Sequence, residues 1–146
     1  MAGSSWLLIA LLALCACGPY PRDPEDTLED VRGGVLRVGA VEVPQVMQRS
    51  DGGAVGPEAE LVEAFARSIE ARVEWTWLAP DEALERLERF ELHLVAAGLR
   101  KGSPWGGRVG MSRPWRGSGD TARVLAVPPG ENGFLVALDR FIEARR

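Results

Sequence analysis

Residues 91–115 read ELHLVAAGLRKGSPWGGRVGMSRPW, and this stretch decides the predicted fold. It opens with a short apolar run, residues 92–97, which has the length and composition of a buried strand. The run breaks at Gly98 into a glycine-rich loop, and no Asp or Glu appears between Leu99 and Gly119. In an α/β fold, such a loop at the carboxyl end of a buried strand is a place to hold an anion.

The loop and its continuation concentrate positive charge in an otherwise acidic chain. Its five cations are Arg100, Lys101, Arg108, Arg113 and Arg116. The 146 residues sum to a formal net charge of −4, so the rest of the chain stands at −9. This acidity argues against nucleic acid as a partner, because nucleic-acid-binding domains are usually basic. The length and the 46% apolar content suit a globular protein with a single core.

The first 17 residues are predicted to be a lipoprotein signal peptide. Residues 6–16 are almost continuously apolar, which suits a signal sequence and is too short to span a bilayer. The run ends in Leu14-Cys15-Ala16-Cys17-Gly18, which resembles a bacterial lipobox whose cysteine is acylated and becomes the mature N-terminus. Cys17 is the predicted lipidation site, and Cys15 is the weaker candidate because the bulky Leu14 precedes it. An ordinary cleaved signal peptide, with both cysteines lost, is the alternative.

Lipidation at Cys17 would leave the mature chain without a free thiol. No disulfide, thiolate nucleophile or cysteine metal ligand is then expected, and the exported domain depends on its hydrophobic core. Residues 18–31 are rich in Pro and acidic side chains, and they are predicted to form an extended tether. Residues 32–146 are predicted to form one α/β domain.

Predicted strands and helices alternate along this domain. Short apolar or alternating runs predict strands at residues 35–41, 73–78, 92–97 and 122–127. Helices are expected from Pro57, after Pro80 with Asp81 as the cap, and around Phe134, while residues 48–56 are expected to be a turn region. This order predicts an α/β fold with an open, mostly parallel sheet of about four to five strands and helices on both faces.

The order and spacing of these segments resemble the first lobe of periplasmic amino-acid-type solute-binding proteins, the bacterial extracellular solute-binding family 3. That family shows a strand LRVG, matched by residues 36–39, and a helix start G-[FP]-[DE], matched by residues 56–58. A K-V-E-W strand corresponds to residues 72–75, and a D-L-x-x-A-G…S-x-P-[YW] stretch corresponds to residues 93–115. The resemblance implies one lobe of a type II periplasmic-binding-protein fold.

The chain departs from the family pattern in two ways. Only residues 116–121 lie where the family's second lobe is inserted, so the chain resembles one lobe without the other. Within the binding loop, Gly102 and Trp105 stand where the family has a ligand-gripping Thr and Arg. His93 replaces an Asp in the third strand, and Val43-Pro44 stands where an aromatic platform is expected.

The charge pattern and the resemblance together indicate a candidate ligand-binding set, which comprises Arg100, Lys101, Ser103, Trp105 and Arg108. The cations could receive a carboxylate, Ser103 and the loop amides could donate hydrogen bonds, and Trp105 could stack on a ligand. A solvated basic loop left over from a lost site is the alternative for the same residues.

No catalytic arrangement is apparent in the sequence. His93 is the single histidine and lies mid-strand, so it is expected to be a hydrogen-bonded structural residue. Residues 117–120, GSGD, lack the strand-to-helix context of a nucleophile elbow. Glu58 and Glu60 are expected on a polar helix face, and no set of His, Asp, Glu or Cys has metal-ligand spacing. The sequence therefore predicts a non-enzymatic protein that uses no metal and no cofactor.

These features predict a lipid-anchored protein of the bacterial periplasm or cell envelope. It would bind a small anionic or amino-acid-like solute for a sensor or for a transporter such as an ABC permease. The alternative is a non-enzymatic adaptor whose former cleft docks another envelope protein. A third interpretation, the substrate-binding-like module of a peptidoglycan-cleaving enzyme, is disfavoured because no catalytic domain follows in this sequence. Since a single lobe cannot enclose a ligand by hinge closure, weak affinity is expected.

Overall fold

The structure is a computed structural model, and it describes residues 21–146. The predicted signal peptide with Cys17, and the first residues of the predicted tether, lie outside the described residues. Within residues 21–146, no helix has both the length and the apolar character that crossing a membrane requires.

The described chain alternates strands and helices, as the sequence predicts. The helices are α1 Thr27–Val31, α2 Pro57–Ser68, α3 Pro80–Glu88 and α4 Asn132–Glu143. The strands are β1 Val35–Ala40, β2 Gln48–Ser50, β3 Gly53–Val55, β4 Arg72–Trp77, β5 Leu94–Ala96, β6 Gly110–Met111 and β7 Ala126–Val127. Short 3-10 turns span Pro104–Gly107 and Gly119–Thr121.

Five strands form an open sheet in the order β4-β1-β5-β7-β6. The first three are parallel, with Val38 of β1 paired to Trp75 on one side and to Leu94 on the other. β7 runs antiparallel to both β5 and β6. The predicted α/β class, with a five-stranded and mostly parallel open sheet, is confirmed.

Both faces of the sheet are covered by helices. On one face, Phe65 of α2 and Phe134 of α4 meet edge to face, with ring centroids 5.7 Å apart. On the other face, α3 packs Leu84 and Leu87 against Val95. β5 is therefore buried on both sides, which explains why its sequence is a continuous apolar run and does not alternate.

Some local predictions are wrong in detail. The predicted turn region at residues 48–56 contains an antiparallel hairpin, β2–β3, which turns at Asp51-Gly52. The predicted cap Asp81 lies inside the first turn of α3, because Pro80 already occupies the first helical position and Ala79 precedes it. The predicted strand at 122–127 is reduced to Ala126–Val127, since its first residues pair with loops.

Part of the predicted tether is packed against the domain. Asp23 accepts hydrogen bonds from the N–H of Phe134, at the start of α4, and from the N–H of Leu28, at 2.9 and 3.0 Å. Glu131, directly before α4, accepts from the N–H groups of Glu25 and Thr27 at 3.0 and 3.1 Å. Asp23 from the N-terminal segment thus caps the start of α4, and Glu131 from the segment before α4 caps the start of α1. We call this arrangement the reciprocal cap; it shows that the chain from Asp23 onward belongs to the domain.

Candidate functional site

The carboxyl ends of the parallel strands β4, β1 and β5 meet at one edge of the sheet, the usual ligand-binding edge of open α/β folds. After β5, the chain turns at Gly98, which has a φ of 57°. A Cβ on Gly98 would lie 3.1 Å from the side chain of Val43 and 3.2 Å from Nη1 of Arg123. Because both the backbone angle and the close packing favour glycine, this residue fixes where the basic loop leaves the sheet.

The Gly98 peptide is held between two charged side chains. Its N–H donates to Oε2 of Glu58 at 2.8 Å, and its carbonyl accepts a hydrogen bond from Nη1 of Arg123. Glu58 lies in the first turn of α2 and is completely buried, so the prediction that it occupies a polar helix face is wrong. Glu58 and Arg123 therefore hold the N–H and the carbonyl of Gly98 and fix the start of the basic loop.

Glu58 titrates in an unusual range for a carboxyl group. Burial raises its pKa from 4.5 to about 7, because the ionised form loses its hydration. The hydrogen bond from Gly98 and the positive charge of Arg123 oppose this rise. Oε1 of Glu58 and Nε1 of Trp115 are both buried, and within residues 21–146 neither atom forms a hydrogen bond of normal geometry. The indole of Trp115 also opposes the rise in the pKa of Glu58. Folding therefore places next to Gly98 a carboxyl group that is about half protonated at neutral pH.

An open cavity of about 420 Å³ lies between the basic loop and the turn at residues 116–121. Arg100 and Ser103 line it from the loop, and Asp120 and Thr121 line it from the turn. Lys101 is exposed beside the cavity and does not line it. Two of the five predicted ligand-binding residues thus line one cavity, together with Asp120, a carboxylate that was not selected from the sequence.

Trp105 and Arg108 are held away from this cavity. Nε of Arg108 donates to Oε1 of Glu88, on α3, at 2.9 Å. The guanidinium of Arg108 also lies 4.3 Å from the centroid of the Trp105 ring. Since each side chain already has a partner in the protein, their arrangement attaches the loop to α3.

The loop amides are also occupied. The N–H groups of Lys101 and Gly102 donate to the carbonyls of Ala122 and Asp120 at 2.9 and 3.0 Å. The N–H of Trp105 donates to Oγ of Ser103 at 3.4 Å, so this serine caps the 3-10 turn. The expectation that these amides donate to a ligand is wrong, because they close the loop on itself and on the neighbouring turn.

The turn at residues 116–121 is closed by backbone pairing. Arg123 forms antiparallel bridges with Arg100 on one side and with Arg116 on the other. The N–H of Arg123 donates to the carbonyl of Arg116 at 2.8 Å. Three arginines on three adjacent chain segments therefore stand next to one another, and we call them the arginine row. Arg123 is not among the residues selected from the sequence, because it lies in a predicted strand; only the fold brings the three together.

His93 lies far from this site, at the amino end of β5. Its Nδ1 accepts a hydrogen bond from the N–H of Arg37 at 3.1 Å, and burial lowers its pKa to about 4. This agrees with the predicted structural role. Among residues 21–146, no group of three or more His, Cys, Asp or Glu side chains is placed to hold a metal ion.

No protein-family model matches the chain. Membrane-bound lytic murein transglycosylase F of Thiobacillus denitrificans is 38% identical over 100 residues, which cover 67% of this chain and 20% of that protein. Membrane-bound lytic murein transglycosylase F 2 of Alkalilimnicola ehrlichii is 41% identical over 100 residues, which cover 64% of this chain and 21% of that protein. The chain spans about a fifth of the length of the curated relatives that it matches.

Three solved structures with a similar fold are named for the amino acids that they bind. The arginine-bound form of domain 1 from TmArgBP has a TM-score of 0.68 at 19% identity, covering 76% of this chain and 93% of that chain. An amino acid ABC transporter substrate-binding protein from Streptococcus pneumoniae, bound to L-arginine, has a TM-score of 0.70 at 10% identity, covering 81% and 91%. The L-cystine solute receptor of Neisseria gonorrhoeae has a TM-score of 0.66 at 12% identity, covering 81% and 90%. The predicted fold, one lobe of a type II periplasmic-binding-protein fold, is confirmed.

Proposed function

We propose that this chain, a single lobe of the amino-acid-type solute-binding fold, binds a small amino-acid-like solute at the cell envelope. The observation that carries the proposal is the open cavity after β5, where Arg100 and Asp120 bring opposite charges to one space. A free amino acid has the matching pair of groups, a carboxylate and an ammonium. Neighbours of the same fold bind L-arginine, which supports this class of ligand.

In this proposal each cavity residue has a defined contact. The guanidinium of Arg100 donates to the ligand carboxylate, and Asp120 accepts from the ligand ammonium. Ser103 adds a hydroxyl, and Lys101 adds positive potential from beside the cavity. Trp105 and Arg108 act indirectly, because their contacts with each other and with α3 position the loop.

The affinity expected for such a site is low. The cavity is open to solvent, so a bound amino acid would keep much of its surface in water, whereas tight sites bury most of the ligand. We expect a dissociation constant nearer ~1 mM than ~1 μM, a binding free energy of about −4 kcal/mol.

We also propose that Cys17 carries a lipid that holds the domain at a bacterial membrane. The relatives are named as membrane-bound proteins, which supports an envelope location. The reciprocal cap begins at Asp23, six residues beyond Cys17. Six residues span at most about 20 Å, so the lipid would hold the domain close to the bilayer. Partners would then be envelope proteins, among them an ABC permease or a sensor.

The relatives favour a second candidate function, a non-enzymatic module that serves murein cleavage. Identity to the two murein transglycosylases is 38% and 41%, against 10% to 19% for the solute-binding structures described above. This similarity strengthens an interpretation that the sequence analysis disfavoured. The lobe would act as an adaptor or ligand sensor for an envelope enzyme, and the chain itself would work by binding.

Thermal unfolding of the full chain in detergent tests the solute-binding proposal. A ligand that binds only the folded state at ten times its dissociation constant adds about 1.4 kcal/mol, a rise of a few degrees in Tm. We expect this rise with one class of amino acids in a panel that also contains dicarboxylates and short peptides. Arg100→Gln should abolish it, while Arg140→Gln, which changes an exposed arginine on α4, should keep it. A flat panel on a cooperatively unfolding protein would reject solute binding and favour the adaptor.

A further inference from the structure

The structure points to an interaction surface at the β4 edge of the sheet: we infer that two copies of this chain pair through strand β4. The two strands run antiparallel, with Val73 of one copy opposite Val73 of the other. Pairing joins the two sheets into one continuous sheet that spans both copies. This inference does not depend on the proposed function, because it uses neither the cavity nor the basic loop.

The outer side of β4 has unused backbone groups. β4 is the last strand of the sheet and pairs with β1 on one side only. The N–H groups of Arg72 and Leu78 both donate towards the β1 side, at 3.0 Å. Since backbone groups alternate in direction along a strand, those of Val73, Trp75 and Trp77 point away from β1. Within residues 21–146 these outward groups form no backbone hydrogen bond, so the edge can accept another strand.

The first half of β4 is the more accessible half. The β2–β3 hairpin forms a separate sheet and approaches the end of β4, where the guanidinium of Arg49 lies 5.1 Å from the ring centroid of Trp77. At the start of the strand, Arg72 and Glu74 are exposed. A second strand therefore fits best opposite this first half, with its centre at Val73.

The charges on the first half of β4 are complementary to a second copy of the same strand. Arg72 and Glu74 are two residues apart and so lie on the same face of the sheet. When Val73 is opposite Val73, Arg72 of each copy lies directly opposite Glu74 of the other, with Cβ atoms about 4.5–5.5 Å apart. Opposite charges attract in this position, and the symmetric interface contains the pair twice. An edge that carries one sign of charge would instead repel its copy.

Other registers use these charges less well. A pair centred on Glu74 would place this carboxylate opposite its own copy, which is unfavourable. A pair centred on Trp75 would leave Arg72 and Glu74 opposite uncharged residues. Neither of the two charged side chains forms a salt bridge within residues 21–146. The charges therefore select the register centred on Val73.

The dimer is compatible with attachment to one membrane. The two-fold axis of an antiparallel strand pair is perpendicular to the sheet, so the face that carries α2 and α4 points the same way in both copies. The N-terminal segment packs on this face, since Val31 of α1 belongs to the same buried cluster as Phe65 and Phe134. Both proposed lipid anchors at Cys17 would lie on this side, and a shared bilayer would raise the effective concentration of the two copies.

Sedimentation equilibrium of the full chain in density-matched detergent tests the inference. We expect a monomer–dimer equilibrium with a dissociation constant of ~100 μM, as suits a small interface. Arg72→Glu and Glu74→Arg should each weaken dimerisation by ~10-fold, because each replaces two attractions by two repulsions. The double variant Arg72→Glu with Glu74→Arg exchanges the charges and should restore the wild-type affinity. Arg140→Glu, which changes an exposed arginine on α4, is the matched control and should alter nothing.

Rescue by the double variant distinguishes the proposed register from other causes of association. A chain that stays monomeric at concentrations up to ~1 mM overturns the inference and leaves this edge to a strand of a different protein. A dimer that neither single variant weakens also overturns it, because shared micelles or another surface would then join the copies. Loss of the dimer in both single variants without rescue overturns the register. Denaturant unfolding followed by tryptophan fluorescence confirms that each variant is folded, and the thermal panel tests solute binding separately.

Discussion

Replacing Glu58 with Gln is expected to remove a stability loss of about 2.5 kcal/mol that the protein undergoes as the pH rises from 5 to 8. The carboxyl group of Glu58 ionises near pH 4.5 in the unfolded chain and near pH 7 in the folded one, because burial raises its pKa. The unfolded state therefore releases this proton first. The free energy of unfolding therefore falls as the pH rises above about 4.5 and stops falling above about pH 7. Each unit of pKa difference contributes about 1.4 kcal/mol.

Urea unfolding at several pH values between 5 and 8 measures this slope. The slope should flatten in Glu58→Gln and persist in Glu60→Gln, the control on the exposed side of the same helix. His93 makes the free energy of unfolding change in the opposite direction. Because its pKa is lower in the folded state, the unfolded state is favoured as the pH falls from 6.5 towards 4. This contribution is present in every variant and cancels in the comparison. Parallel curves for wild type and Glu58→Gln would show that the buried carboxyl group does not titrate as proposed.

The Glu58 variant also matters for the binding loop. Oε2 of Glu58 accepts the N–H of Gly98, the residue from which the basic loop starts. If this contact positions the loop, Glu58→Gln, which keeps one acceptor oxygen, should retain solute binding. Glu58→Ala should weaken it without touching the cavity itself. The pair of variants separates the effect of charge from the effect of the hydrogen bond.

Elements whose burial follows a local pattern were predicted well. Pro57 identifies the start of α2, and the apolar run at residues 92–97 identifies β5 as a buried strand. These features depend on the 3.6-residue and two-residue periods of helices and strands, which neighbouring residues in the sequence reveal directly. The order of the elements then predicted the parallel part of the sheet.

Features that depend on distant partners were not predictable in the same way. Arg108 was assigned to a ligand, but its partner is Glu88, 20 residues away. The bridges of Arg123 to Arg100 and Arg116 depend on how the turn closes, which no local pattern encodes. Glu58 did carry a signal, because it precedes Leu61 and Val62 by three and four residues and thus lies on the apolar stripe of α2. A carboxylate in that position indicates a buried partner.

The contacts of the reciprocal cap also join residues that are distant in the sequence, so they could not be predicted from a local pattern. Composition alone made residues 18–31 resemble a tether, since they are rich in Pro and acidic side chains. The two segments that cap one another are separated by up to 111 residues, so only the folded chain brings them together. Once they meet, the carboxylates that suggested disorder become the groups that satisfy two helix starts.

Replacing Glu131 with Ala is expected to destabilise the domain by about 2–4 kcal/mol. The side chain is only 1% exposed, and its two oxygens accept the N–H groups of Glu25 and Thr27. Removing it leaves the buried N–H of Thr27 and the partly exposed N–H of Glu25 without their acceptor, and an unsatisfied buried donor costs about 1–3 kcal/mol. Urea unfolding of the full chain in detergent at pH 6 measures the change, and Glu29→Ala on the exposed side of α1 should cost far less.

The double variant Glu131→Ala with Asp23→Ala should lose less stability than the sum of the two single variants, because either substitution alone already loosens the same segment. Equal costs for Glu131→Ala and Glu29→Ala would instead mean that the chain before Val31 is the tether that the composition predicts.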